Sequence, residues 1–129
     1  MEKSELIQAA RQARELAYAP YSHFAVGAAL LTDSGKVFTG CNVENLSFGL
    51  TICAERAAVC AAVAAGEKRF KSIFICSDSQ EPVSPCGACR QVLAEFADDM
   101  EIMSFNLEGR EFSATLSALL PRAKTGILG

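Results

Sequence analysis

Three cysteines and one glutamate have the types and the spacing of a catalytic metal site. Glu55 stands two positions after Cys53, and Cys86 and Cys89 follow Pro85 farther along the chain. Catalytic zinc takes three protein ligands and leaves its fourth tetrahedral position to water, so three thiolates complete the set. Glu55 then stays free to move protons at that water. The pattern predicts zinc-assisted hydrolysis with Cys53, Cys86 and Cys89 as ligands and Glu55 as proton carrier.

Positive charge is expected beside these ligands. Three thiolates on a divalent ion leave a net negative charge, which weakens the metal as a Lewis acid unless a cation lies nearby. Arg56 directly follows the predicted proton carrier, whereas Arg90 and Gln91 belong to the next helix. We therefore predict that Arg56 compensates the thiolate charge. Cys53 and the pair Cys86 and Cys89 are also predicted at helix N-termini, where the positive end of the helix dipole favours thiolate over thiol.

The cysteines admit other interpretations. An isolated C-x-x-C motif is often a redox pair or half of a structural zinc site. A structural zinc module would need a closed fourth ligand, and the sequence offers no fourth cysteine or second histidine at suitable spacing. The only histidine, His23, is predicted to have a turn or surface role. The remaining cysteines lie in apolar segments and are predicted to pack as small hydrophobic residues: Cys41, Cys60 and Cys76.

Helices and strands alternate along the chain around these residues. Apolar periodicity predicts helices over residues 4–18, 53–65 and 86–96, strands over 24–31, 36–42, 71–77, 101–107 and 111–113, and a last helical turn over 116–120. Gly66 has the placement of a helix C-cap residue. A strand, a crossover helix and a second strand form parallel neighbours most easily, so the order favours an α/β sandwich with a mixed sheet.

Size and charge exclude several classes of protein. The 129 residues are half apolar, which predicts a single domain over residues 1–129. The net charge of -3 and the pI near 5.2 give no basic surface for nucleic acid. The longest apolar stretches are shorter than the roughly 20 residues of a membrane span. The N-terminus lacks a signal-peptide pattern, so we expect a cytoplasmic protein without a nucleic-acid or membrane partner.

Four segments resemble the small homotetrameric cytidine deaminases. They are residues 19–29 (APYSHFAVGAA), 40–45 (GCNVEN), 53–56 (CAER) and 85–91 (PCGACRQ). A cysteine close before a glutamate, followed by P-C-x-x-C, is also the signature of zinc-dependent deaminases, with cysteine in place of histidine. The resemblance covers nearly the whole length, from Ala19 to Pro121. It implies a three-layer α/β/α sandwich around a mixed five-stranded sheet.

The resemblance also implies roles for individual residues. It implies one zinc ion per subunit on the three thiolates, Glu55 as proton shuttle and Arg56 hydrogen-bonded to the thiolates. The residue matching Phe24 packs against the pyrimidine, and those matching Asn42 and Glu44 bind the ribose. Backbone near Ala54 and Ser84 holds the base. The implied reaction is hydrolysis of cytidine or deoxycytidine, in sites that neighbouring subunits of a tetramer complete.

One departure keeps an alternative substrate open. Similar proteins usually carry an aromatic residue about three positions after Leu119-Leu120-Pro121 that helps to close a neighbour's site, whereas Lys124 stands here before a short C-terminal end. A blasticidin-type deaminase is therefore the alternative. Deamination of a base in single-stranded nucleic acid would call for a basic groove and aromatic stacking platforms, which the acidic pI and the absence of Trp disfavour.

Overall fold

The sheet has five strands and one parallel pair. The structure is a computed structural model that describes residues 2–123. The strands are β1 (Val26–Thr32), β2 (Val37–Cys41), β3 (Phe70–Ser77), β4 (Glu101–Asn106) and β5 (Glu111–Thr115). Their order in the sheet is β2-β1-β3-β4-β5, with β3 and β4 parallel and the other neighbours antiparallel. A crossover connection of the predicted kind joins this parallel pair.

Helices cover both faces of the sheet. They are α1 (Lys3–Arg14), α2 (Ala54–Ala64), α3 (Gly87–Glu95) and the short α4 (Leu116–Leu119). The core between α1 and the sheet includes Leu6, Ala10, Phe74 and Phe105. The core on the opposite face, beneath α2, α3 and α4, includes Ala58, Leu93, Ile73 and Ile102. The predicted three-layer α/β/α sandwich around a mixed five-stranded sheet is confirmed. Within residues 2–123, none of the helices has the length and apolar character needed to cross a bilayer.

Three predicted boundaries are wrong by two residues or more. The last strand runs on to Thr115 rather than ending at Ser113, and the other two errors share one physical reason. The first helix ends at Arg14 rather than Tyr18. The N–H of Tyr18 donates to the carbonyl of Asn42, and Tyr18 forms an isolated parallel bridge with Val43 instead of continuing the helix. The first strand begins at Val26 rather than Phe24, whose carbonyl accepts the Asn42 side chain. In both places a tertiary hydrogen bond replaces the local structure that the apolar pattern predicts.

The start of α2 packs directly on the backbone of β2, and its end is capped. Near its start, the α-carbon of Gly40 in β2 lies so close that an added Cβ would meet Ala54 O and Ala58 N at 2.5 Å. At its end, the N–H of Glu67 donates to Ala62 O, and Gly66 has a φ of 90°. This is the Schellman motif, and it confirms the predicted capping role of Gly66. The residues at the start of α2 are therefore held tightly against the sheet.

The residue at which the sequence departs from the family pattern lies outside the described residues. Lys124 and residues 125–129 fall beyond residues 2–123.

Candidate active site

Two helix N-termini bring the three thiols together. Cys53 is the N-cap residue of α2, Cys86 is the N-cap residue of α3, and Cys89 lies in the first turn of α3. Their sulfur atoms all lie within 4.8 Å of one another. The Cys86 sulfur also accepts the N–H of Cys89 at 3.5 Å. The local reason for the cluster is that each helix begins at a cysteine.

The sulfur spacing fits one tetrahedral metal ion. Zinc–sulfur bonds of about 2.3 Å at tetrahedral angles place sulfur atoms about 3.8 Å apart. The distance from Cys53 Sγ to Cys86 Sγ is 4.0 Å, and that from Cys86 Sγ to Cys89 Sγ is 3.4 Å. Cys89 is fully buried whereas Cys86 is exposed, so the cluster opens to solvent on one side. The donor set therefore suits a thiophilic ion whose fourth ligand position is reached from outside.

Arg56 contacts the cluster directly. Its guanidinium donates to Cys53 Sγ at 3.5 Å and to the carbonyl of Thr51 at 3.3 Å. The hydrogen bond with Cys89, followed by Arg56, lowers the pKa of Cys53 to about 5, although burial opposes the shift. The same pairing, together with burial, raises the pKa of the Cys89 thiol. Negative charge is thus concentrated on the sulfur that Arg56 contacts.

Glu55 lies in the first turn of α2 and is only 6% exposed. Burial raises the pKa of its carboxyl group to about 7, and the charge of Cys53 acts in the same direction while Arg56 opposes it. A carboxyl group with a pKa near neutrality can both accept and donate a proton. The site therefore combines a metal-binding cluster with a buried proton carrier.

Asn42 and Phe24 form one hydrogen-bonded unit beside the sheet. Asn42 is 8% exposed, its amide nitrogen donates to Phe24 O at 2.8 Å, and its amide oxygen accepts the N–H of Val26 at 2.8 Å. Phe24 itself is 37% exposed. An amide group offers two N–H donors and two lone pairs, so Asn42 retains one of each for a ligand.

Glu44 is held by the loop that precedes β1. Its Oε1 accepts the N–H groups of Tyr21 and Ser22 at 3.0 and 3.1 Å, and its Oε2 accepts the Ser22 hydroxyl. The Ser22 hydroxyl lowers the pKa of Glu44 most, so the group is ionised at neutral pH. Ser22 lies within a segment that the sequence resemblance covers, yet its residue type alone gave no signal of this contact.

Ser84 and Ala54 differ in exposure. Ala54 is fully buried at the start of α2, where only its backbone can serve a ligand. Ser84 is exposed and accepts a hydrogen bond from Arg90 at 2.9 Å.

Arg90 also donates to Pro85 O at 2.7 Å and to Leu119 O at 2.9 Å. The sequence made Arg90 a weaker candidate than Arg56 for contacting the thiolates. In the structure, Arg90 instead links the loop before α3 to α4.

The cysteines outside the cluster differ from one another. Cys76 is buried in β3 and Cys41 is partly buried, which agrees with the predicted packing role. The prediction is wrong for Cys60, which is exposed on the outer side of α2. The alanine-rich sequence of α2 shows no polar face that could have revealed its outer side. His23 is exposed and has a φ of 58°, which agrees with the predicted turn.

Known proteins resemble this chain over nearly its full length. The family model for the cytidine and deoxycytidylate deaminase zinc-binding region matches residues 1–104. A cytidine deaminase from Sporosarcina psychrophila is 48% identical over 124 residues, which are 95% of this chain and 91% of that protein. One from Halalkalibacterium halodurans is 49% identical over 126 residues, or 97% and 96% of the two chains.

Solved structures and a second enzyme class add to the comparison. The crystal structure of a cytidine deaminase from Burkholderia pseudomallei has a TM-score of 0.90 at 49% identity, and it covers 94% of this chain and 98% of that chain. A blasticidin-S deaminase from Bacillus cereus is 31% identical over 125 residues, which are 91% of this chain and 88% of that protein. The resemblance to the blasticidin enzyme is thus clearly the weaker one.

Proposed function

This chain belongs to the cytidine and deoxycytidylate deaminase family, and from that premise we propose that it hydrolyses cytidine and deoxycytidine to uridine and deoxyuridine with release of ammonia. One observation carries the proposal beyond family membership. Three sulfur atoms within 4.8 Å of one another share the start of α2 with the buried carboxyl group of Glu55. Hydrolytic deamination needs both an activated water and a group that moves protons.

Cys53, Cys86 and Cys89 would hold one zinc ion per subunit. Their sulfur spacing brackets the tetrahedral value, and the exposed side at Cys86 leaves access for substrate. Zinc bound there supplies a Lewis acid that lowers the pKa of a coordinated water toward neutrality. Arg56 offsets the charge of the thiolates through its contact with Cys53 Sγ.

Glu55 carries the protons of the reaction. It takes a proton from the attacking water and delivers it to N3 of the pyrimidine while the water oxygen adds to C4. It then takes the remaining proton from the oxygen now bound to C4 and passes it to the amino group. The C4–O bond becomes the carbonyl of the product as the C4–N bond breaks, so that ammonia leaves. Water and cytidine are consumed, and uridine and ammonia are formed. Burial of Glu55 on a rigid helix suits this role because the carboxyl group is held in one place.

The substrate would lie between the metal cluster and the loop before β1. Phe24 has an exposed ring that can pack against the pyrimidine, and backbone near Ala54 and Ser84 would hold the base. Asn42 and Glu44 would bind the ribose hydroxyls with the hydrogen-bonding capacity that the loop leaves free. The acidic pI supports a free nucleoside rather than a polynucleotide as substrate.

A homotetramer with shared active sites is part of the proposal. Residues 46–52 expose several large apolar side chains, with Leu46 81%, Phe48 62% and Leu50 65% exposed. The outer side of α2 presents the uncharged residues Cys60, Ala61 and Ala64. Solvent-facing helix sides normally carry charged residues, and exposed apolar patches mark interfaces. Light scattering on the zinc-loaded protein would test this, and a monomer that is fully active would refute it.

We further propose a cytoplasmic location. The six cysteines are free in the structure, and three of them must stay reduced to bind metal.

Ultraviolet spectra of cytidine over time test the activity. Zinc-loaded protein should convert cytidine and deoxycytidine, and chelation should stop the conversion until zinc is restored. Cytosine base, a cytosine oligonucleotide and blasticidin S serve as parallel substrates. Absence of cytidine turnover by protein with one zinc per chain would refute the proposal, and turnover of blasticidin S alone would replace it with the alternative.

Glu55→Gln isolates the proton carrier. The variant keeps the size and burial of the side chain, so we expect unchanged zinc content and a loss of turnover by a factor of about 10² to 10⁴ or more. Glu95→Gln, at the end of α3, serves as a control for removing a carboxylate outside the site. Near wild-type turnover in Glu55→Gln would exclude the proposed role.

A further inference from the structure

The hydroxyl group of Ser22 connects two residues of the proposed nucleoside site. It donates a hydrogen bond to Glu44 Oε2 and accepts the backbone N–H of Phe24 at 3.0 Å. Ser22 is itself exposed, so its contribution to the hydrophobic core is small. A single small side chain thus joins the carboxylate proposed for the ribose to the residue proposed for the base.

The carboxylate of Glu44 has one acceptor position left. A carboxylate offers about four lone-pair directions. Among residues 2–123, three donors reach it: the N–H groups of Tyr21 and Ser22 and the Ser22 hydroxyl. These contacts fix its orientation, because both oxygen atoms are engaged from the same loop. The remaining direction is therefore fixed before any ligand arrives.

Phe24 is positioned through its backbone rather than by packing. Its N–H donates to Ser22 Oγ, and its carbonyl accepts the Asn42 side chain at 2.8 Å. The preceding residue, His23, has a φ of 58°, a conformation that non-glycine residues adopt at a free-energy cost. Since the Phe24 ring is 37% exposed, core packing alone does not fix it. The hydrogen bonds of Ser22 and Asn42 to Phe24, together with the one from His23 N–H to Ala19 O, hold this strained turn.

We propose that Ser22 is a positioning residue that holds the Glu44 carboxylate and the Phe24 backbone in the orientations that nucleoside binding requires. The inference rests on the proposed function for the roles of Glu44 and Phe24. Ser22 acts only through these two residues. Its hydroxyl couples ribose recognition to base packing, so its loss weakens both.

The kinetic test compares Ser22→Ala with Ser22→Thr in zinc-loaded protein. Loss of a hydrogen bond to a charged group corresponds to a factor of about 10 to 100. We expect Ser22→Ala to lower kcat/KM for cytidine by that factor, mainly through a higher KM. Ser22→Thr keeps the hydroxyl, so its kcat/KM should lie within about threefold of the wild-type value. The remaining difference reflects the space that the extra methyl group needs.

Ser34 provides a matched control. Ser34 lies in the turn between β1 and β2, and its hydroxyl donates to the carboxylate of Glu67. This is a contact of the same chemistry outside the proposed site. Ser34→Ala should leave kcat and KM unchanged. In a Glu44→Gln background, Ser22→Ala should have a smaller effect than in the wild type, because the part of its effect that is exerted through the Glu44 carboxylate is already lost while the part exerted through Phe24 remains. An effect of equal size in both backgrounds would refute the positioning role.

A second measurement does not depend on turnover. Carboxyl NMR of Glu44 should show a higher pKa in Ser22→Ala than in the wild type or in Ser34→Ala, because the hydroxyl stabilises the ionised form. An unchanged pKa would refute the contact. An inactive wild type would refute the proposed function, whereas an active wild type with unchanged kinetics in Ser22→Ala would refute only the role of Ser22.

Discussion

Gly40→Ala tests whether the position of α2, the helix that begins at Cys53, depends on the absence of a side chain at one residue of β2. The new Cβ would lie 2.5 Å from Ala54 O and from Ala58 N, about 0.9 Å short of the 3.4 Å at which ordinary contact begins. Both neighbours are backbone atoms of α2, so no side-chain rotation can relieve the overlap. Either α2 or β2 must move.

The expected loss of stability follows from this overlap. Overpacking a core usually costs about 1–3 kcal/mol, and an overlap with helix backbone belongs at the upper end of that range. A loss of about 3 kcal/mol corresponds to a fall in Tm of about 10 °C for a chain of this size. Because Cys53 and Glu55 lie at the start of the same helix, zinc affinity should fall as well.

Thermal unfolding at fixed protein and zinc concentrations measures the effect, since bound metal and association both shift the apparent Tm. Gly87→Ala is the control, because an added Cβ there meets no atom within 4 Å and alanine favours the first turn of α3. We expect its Tm to match or exceed that of the wild type. A Gly40→Ala protein with wild-type Tm and zinc affinity would refute the argument.

Three further predictions concern charged side chains. Arg90→Gln removes donors to Pro85 O and Leu119 O and should lower the free energy of unfolding by about 2 kcal/mol, which urea unfolding would detect. Arg56→Gln should weaken zinc binding, measured by competition with a chelator, and unchanged affinity would contradict its contact with Cys53. Ser117 hydrogen bonds lower the pKa of Asp99, so its ionised form stabilises the fold above its ordinary pKa. The stability difference between wild type and Asp99→Asn should therefore be constant near neutrality and disappear as the pH falls below about 4, and a constant difference at all pH values would refute this assignment.

The layers of the fold could be predicted because the sequence pattern and the packing agree there. Apolar segments that alternate with amphipathic ones gave the five strands and the three longer helices in their correct order. The end of α1 could not be predicted, since it depends on a hydrogen bond from Tyr18 to Asn42, which is distant in sequence. The exposure of Cys60 was hidden because, beyond Glu55 and Arg56 in its first turn, the α2 sequence has no polar residues that would mark an outer side.

The chemistry of the site was more predictable than its support. The types and spacing of Cys53, Glu55 and the C-x-x-C pair predict a metal cluster directly, and the structure brings these residues together. The contacts of Ser22 and Arg90 depend on loops that meet only after folding. Serine and arginine occur in many roles, so their residue types carry little information until their neighbours are known.

The closeness of the three thiols also determines how the metal-free protein responds to air. Cys86 is exposed, its sulfur lies 3.4 Å from that of Cys89 and 4.0 Å from that of Cys53, and the C-x-x-C pair begins a helix as in dithiol redox proteins. Dissolved oxygen can take two electrons and two protons from such a pair and leave a disulfide. A disulfide and a metal ion exclude each other, because both require the same sulfur atoms. We therefore expect that protein kept without metal in air regains zinc only after treatment with a thiol reductant, so its oxidation history would determine the fraction of active chains.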